Sequence, residues 1–167
     1  DGSFLISREN EKDFSYESLK GKTIVGGRPG GVPEMSLEYV LKKHGLTPGV
    51  DVNIITNIAF NATAGAFTGG TGDYVALFEP TGSMLEKEKK GYIVSSIGKE
   101  AGDISYTTFY ANQSYIEKNA EIIESFTRAI YKGQKFVEES SDEKVAKAII
   151  DFFPGSDLDV LTNVVKN

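Results

Sequence analysis

The sequence has no cysteine and a single histidine, His44, in 167 residues. Without thiols there is no disulfide, no thiolate nucleophile and no cysteine metal site. One imidazole leaves a Ser–His triad or a multi-histidine metal site almost nothing to be built from. No apolar run approaches the length of a membrane span, and no stretch has the pattern of a secretory leader. An excess of positive charge is missing too. The formal net charge is −6, which argues against a phosphate backbone as partner, because nucleic-acid binders carry a basic face. A start at Asp1 rather than Met, directly before a strand-like stretch, reads as a processed or excised chain.

What is present is ordinary for a globular fold. The apolar share is 40% and the charged share 25%. A chain of this length buries about two thirds of its unfolded surface, so its core needs no metal or crosslink. It suffices for one domain, or for one large lobe with an appendage.

Periodicity divides the chain into two parts. Residues 4–8, 22–25, 52–55, 73–78 and 92–97 read as short strands, and residues 106–111 as a further extended stretch. Between them lie helical patterns. Pro33 suits a first helical position, Glu34 suits the positive helix end, and Leu37, Val40 and Leu41 form one stripe that Gly45 closes. Residues 60–70 and 79–90 are the next two helices, the latter with a Glu86–Lys90 pair on its solvent face. Alternation of strand and helix with short loops predicts a parallel α/β sheet. After Asn112 the pattern is helix only. Asn119 is the expected N-cap of a helix bearing Ile122, Phe126 and Ile130, and Ser140 with Glu143 forms the capping box of the next. Ser156 is the expected cap of a last helix with Leu158, Leu161 and Val165. The aromatic residues from Tyr106 to Tyr131 are assigned to the core.

Ligands of open parallel sheets bind beyond the carboxyl ends of the strands, and three such ends are legible. The first is GGRPGGV, residues 26–32. Glycines 27, 30 and 31 let the backbone approach a ligand, the following helix start attracts an anion, and Arg28 offers a bidentate partner. The alternative is a tight turn with Arg28 in solvent. Five glycine and proline residues in seven exceed what a simple turn needs, so ligand binding is preferred. The spacing is neither a Walker A nor a dinucleotide fingerprint, since Tyr16 stands where the leading glycine of a Walker motif would be. The second end carries Asn57, Phe60 and Asn61. Either Asn57 and Phe60 face a ligand, or Asn57 caps the next helix while Phe60 packs inside. The third is Phe78-Glu79-Pro80, where Glu79 either accepts hydrogen bonds from a ligand or serves the first turn of a helix. His44, at a helix end, is given no functional role.

With these loops laid out, the chain resembles the nitrate, sulfonate, taurine and thiamine-precursor branch of ABC-importer substrate-binding proteins. The resemblance rests on DGSFLISR (1–8), LKGKTIVGGRPGGVPEMSLEYVLKKHGL (19–46), DVNIITNIAF (51–60), TGDYVALFEPTGSMLEKEKKGYIVSSIG (71–98) and YTTFYANQSYIEKNAEIIESFTRAIYKGQ (106–134). It implies a type 2 periplasmic-binding-protein fold of two α/β lobes. Residues 1–112 would be one ligand-binding lobe, with hinge strands at 3–8 and 104–112. Residues 113–167 would belong to a first lobe whose initial half precedes Asp1. Gly27, Arg28, Gly30 and Gly31 match the anchoring loop of such proteins, and Glu79 matches a carboxylate that lines the cleft. Phe78 departs from them, since many relatives have tryptophan there.

The resemblance implies an extracytoplasmic binding component, periplasmic or lipoprotein-anchored, that delivers a small ligand to a membrane permease. It implies no cofactor and no catalysis. The competing enzyme reading, a synthase of the thiamine pyrimidine on the same fold, depends on a pyridoxal cofactor, histidine and a cysteine cluster. A ligand-sensing receptor domain is the third reading. The apolar stripes of the last helices call for cover, by a second copy of the chain, by exchanged helices or by collapse onto the lobe.

Overall fold

The structure, a computed structural model, describes residues 2–166. These divide into two compact units, one ending at Tyr106 and the other beginning at Thr107. The boundary falls before the expected one at residue 112.

The first unit is a five-stranded mixed sheet flanked by helices, with strand order β3-β2-β4-β1-β5. Strand β1 is Ser3–Ser7, β2 Thr23–Val25, β3 Asn53–Ile55, β4 Tyr74–Phe78 and β5 Tyr92–Ser96. Strand β2 runs parallel to β3 and β4, as the alternating pattern predicts. Strand β1 is the exception. It inserts antiparallel between β4 and β5, with a register shift at Leu5/Ile6. All five of its residues are buried.

Alternation along the strands sorts the core onto two faces. Leu5, Ile24 and Tyr74 point to one side, where Leu37, Val40 and Leu41 of α1 (Val32–Lys43) and Ile97 of α4 (Ile97–Ala101) cover them. Phe4, Ile6, Val25, Val75 and Leu77 point to the other, beneath Phe67 of α2 (Thr63–Thr68) and Leu85 of α3 (Thr81–Lys87). The short helix α4 has no apolar period of its own and was not expected. Ser96 starts it by accepting the Lys99 amide at 3.2 Å.

Polar side chains fasten the ends of the sheet. Arg8, just past β1, donates from Nε to the Gly72 carbonyl (2.9 Å) and from one terminal nitrogen to Phe67 (2.6 Å) and Thr71 (3.0 Å). Its guanidinium lies 4.3 Å from the centre of the Phe67 ring. Those carbonyls belong to the end of α2 and the loop that follows, so one side chain closes both. His44 ends α1, stacks on Tyr16 at 4.1 Å and meets Glu100 at 3.1 Å, in keeping with a structural place. Helix α3 ends at Lys87, so Lys90 lies beyond it and pairs with Glu88. Glu86 instead accepts the Ile93 amide, because the expected i,i+4 geometry has already lapsed there.

Among the described residues, the regular elements of the second unit are helical, chiefly α5 (Gln113–Lys118), α6 (Ala120–Glu139), α7 (Asp142–Ile149) and α8 (Leu158–Lys166). Residues 106–111 form no strand among the described residues, since no neighbouring strand pairs with them. Helix α5 was also missed. It ends where α6 begins, so Asn119 holds the expected N-cap position of α6, but its side chain donates back to the Tyr115 carbonyl and makes no capping bond. The cap of α7 is Ser141 rather than Ser140, without a side-chain bond, and Asp157 rather than Ser156 accepts the Val160 amide at the start of α8. Val145 and Ala146 pack with Val160 and Leu161. The aromatic residues expected in a core are exposed instead. Phe109, Tyr110, Tyr115, Phe126 and Tyr131 all lie on the surface, and α6 has no buried residue along its 20 positions. Phe109 and Phe126 meet edge to face at 4.9 Å beside an apolar groove of about 650 Å³.

A buried tyrosine and its half-buried carboxylate partner set a pH limit on the first unit. The Tyr74 hydroxyl donates to Glu11 at 2.8 Å, and burial followed by this carboxylate partner pushes its pKa up to about 12. A tyrosine in the unfolded chain ionises near pH 10. The stabilisation is therefore complete below about pH 10 and is lost as pH rises towards 12. Denaturation curves at stepped alkaline pH should show a fall in that window that Tyr74→Phe removes.

Candidate functional site

Parallel strands β3, β2 and β4 share one carboxyl edge, and the three loops singled out in the sequence all leave from it. Because β1 is antiparallel, its first residue Ser3 lies opposite Phe78 at the same edge. The edge is thus built from residues 26–31, 56–60 and 78–80, with the start of β1 beside them.

The first loop turns tightly. Gly26 donates its amide to the Ile55 carbonyl at 2.9 Å, and a Cβ there would come within 2.7 Å of the Ile54 side chain. Gly27 lies against the Pro33–Glu34 start of α1. Gly31 donates to the Arg28 carbonyl at 3.0 Å and holds the N-cap position of α1. Gly30 has φ of +70°, a conformation that favours glycine. Its amide donates to the Glu34 carboxylate at 3.1 Å. Arg28 is exposed.

Glu34 changes the electrostatics expected of this loop. Its side chain is buried in the first turn of α1, and burial raises its pKa against the opposing pull of the Gly30 amide. Glu38, one turn on, is held below the usual carboxylate range by Lys42. An oxyanion arriving at this helix start meets a carboxylate as well as the helix end and Arg28. The sequence showed Glu34 only as a helix-end residue, and nothing in it reported the bond back to Gly30.

The second loop places Asn57 on the surface, ahead of a 3₁₀ turn at Phe60–Ala62 whose cap position is Ala59. Phe60 does not pack inside. It is 69% exposed, and its ring lies 5.9 Å from that of Phe78. Phe78, the last residue of β4, stacks in turn against Tyr106 at 6.0 Å with 24° between the planes. The sequence had assigned Tyr106 to the core with its aromatic neighbours, and only the fold shows it reaching this edge.

In the third loop Glu79 faces its own helix. One carboxylate oxygen accepts the Ser83 amide at 2.9 Å and the other the Ser83 hydroxyl at 2.7 Å. Of the eight candidate residues, the structure brings Phe60 and Phe78 into contact and gathers Gly27, Arg28, Gly30 and Gly31 in one turn. It holds Glu79 by Ser83 and leaves Asn57 in solvent.

Comparison with known proteins gives the family and the fold. Residues 3–144 match the family described as NMT1/THI5 like, and the chain belongs to it. The chain is 48% identical over 99% of its length to YtlA of Bacillus subtilis (strain 168), provisionally named a binding protein, and spans 50% of that protein. The fold resembles the alkanesulfonate-binding protein SsuA of Xanthomonas axonopodis pv. citri bound to MOPS, with a TM-score of 0.75 at 19% identity. That match covers 99% of this chain and 55% of SsuA. The periplasmic aliphatic sulphonate binding protein SsuA of Escherichia coli gives a TM-score of 0.77 at 18% identity, with 99% and 51% covered. The chain therefore spans about half the length of the proteins it matches, and the fold it shares with them is that of periplasmic binding proteins. No helix among the described residues is long and apolar enough to cross a membrane.

The grip of Ser83 on Glu79 makes a definite forecast for this loop. Glu79→Gln keeps the shape but weakens both bonds, so it should cost about 1 kcal/mol of stability. Thermal unfolding should show the melting temperature falling, and an unchanged value would mean that the carboxylate does not hold the helix start.

Proposed function

We propose that this chain is part of a solute-binding component of an ABC importer. It captures a small polar or anionic organic nutrient, of the sulfonate, nitrate or thiamine-pyrimidine class, and hands it to a membrane permease outside the cytoplasm. The observation that carries this reading is the convergence of three loops at one carboxyl edge of the sheet. Family membership and the binding-protein relatives support it.

In this reading residues 3–8 and 104–112 are the hinge, Gly27, Arg28, Gly30, Gly31, Asn57, Phe60 and Phe78 face the ligand, and Glu79 shapes the same edge from its place against Ser83. Capture is by closure of two lobes, not by turnover. The helices after residue 112 belong to the opposite lobe, whose remainder lies in the half of the relatives' length that this chain does not span. A periplasmic or lipoprotein-anchored location follows from the proposed role. Without the rest of that lobe, a second copy of the chain is the proposed cover for the exposed face of α6.

Thermal-shift screening of the whole gene product against sulfonates, nitrate, pyrimidines and small carboxylates tests the capture reading, since a ligand of the folded state raises its apparent stability. Silence across the whole panel would sink it. For an acidic ligand, Arg28→Ala should weaken binding by about 1–3 kcal/mol, the range of a charge-assisted hydrogen bond. Calorimetry with unchanged affinity would remove Arg28 from the site.

A further inference from the structure

The geometry points to a ligand that carries a planar ring, recognised on the aromatic ladder Phe60–Phe78–Tyr106. The inference rests on the capture reading above and narrows its ligand class. It comes from where the first unit leaves its aromatic side chains. Phe4 and Phe67 are 9% and 0% exposed, and Tyr16 and Tyr74 are 7% and 4%. Phe60 and Tyr106, by contrast, are 69% and 43% exposed, with Phe78 half-buried between them. All three touch in sequence, at 5.9 and 6.0 Å.

The ladder stands at the carboxyl edge where the three loops converge, and Phe78 is bracketed there by Glu79 and by Ser3 of β1. Its spacing matters. A ring sandwiched between two others needs about 7 Å between the outer centroids, given contact distances near 3.5 Å. Neither gap is that wide, so a ligand ring lies on an open face of the ladder, and Phe60 offers the most exposed one. A nitrate ion or a short alkyl sulfonate has no face to stack. An aryl or heteroaromatic body does, and an aromatic surface binds it whatever its substituents. The polar loop of residues 27–31 then remains for the charged or hydrogen-bonding group that the ring carries.

The test uses matched probes on the whole gene product: benzenesulfonate with ethanesulfonate, and benzoate with acetate. Titration calorimetry should show each aryl member binding at least tenfold tighter than its alkyl partner. Phe60→Ala should abolish most of that preference, lowering the aryl affinities far more than the alkyl ones, and Phe60→Trp should restore it, with a fluorescence change on binding. Phe60 lies on the surface of a 3₁₀ turn, so its replacement leaves the fold intact. Equal affinities within each pair, or a preference untouched by Phe60→Ala, would overturn the ladder while capture stands. Binding by none of the four probes would overturn the ladder too, and the broader thermal-shift panel then decides separately whether capture itself survives.

Discussion

Strand β1 is the constraint on which the first unit depends. It is the first element of the chain, yet it lies inside the sheet, paired on one side with β4 and on the other with β5. A strand covered on both faces and bonded on both edges has no position left for a polar residue unless its hydroxyl finds a partner. Ser7 meets that condition through Glu11. The three apolar side chains, Phe4, Leu5 and Ile6, fill both cores at once. The direction of β1 also matters for the edge. Running against β4, it brings the start of the unit to the carboxyl ends of β2, β3 and β4. The loops that gather there are therefore fixed by pairing between residues some seventy positions apart.

The strands and the main helix of this unit were legible because their signals are periodic. Leu37, Val40 and Leu41 form one stripe, and Val75 and Leu77 lie on one face. The antiparallel course of β1 was not legible, because three apolar residues between two serines read the same in either direction. Helix ends were read less well. Asn119 holds the cap position read for it, but Ser140 and Ser156 have the chemistry of a cap and so do Ser141 and Asp157, and composition does not choose between neighbours. The choice is made by where the following helix can pack. Val145 and Leu161 settle it for the last two helices.

The candidate site was legible as loops and less so as side chains. A glycine-rich turn before a helix is local information, and residues 26–31 form the expected turn. What a side chain does at the end of a strand depends on elements distant in sequence. Phe60 had two readings of equal standing, and the one that packs it inside is overturned by its exposure. Glu34 had only a helix-end role until its bond to Gly30 came into view. Tyr106 was misplaced because four aromatic residues within ten positions resemble a core segment. The resemblance implied a ligand-lining role for the Glu79 carboxylate, yet both of its oxygens turn to Ser83.

The Arg8 clamp carries a consequence for how this region tolerates change. Three carbonyls at positions 67, 71 and 72 accept from one guanidinium, whose plane also lies against the Phe67 ring. Each of these contacts uses a different property: forked donors, fixed planarity and a flat delocalised cation. An ammonium has the charge but none of that shape. Lysine at position 8 would conserve charge while dissolving the geometry, so tolerance here follows the outline of the group rather than its sign.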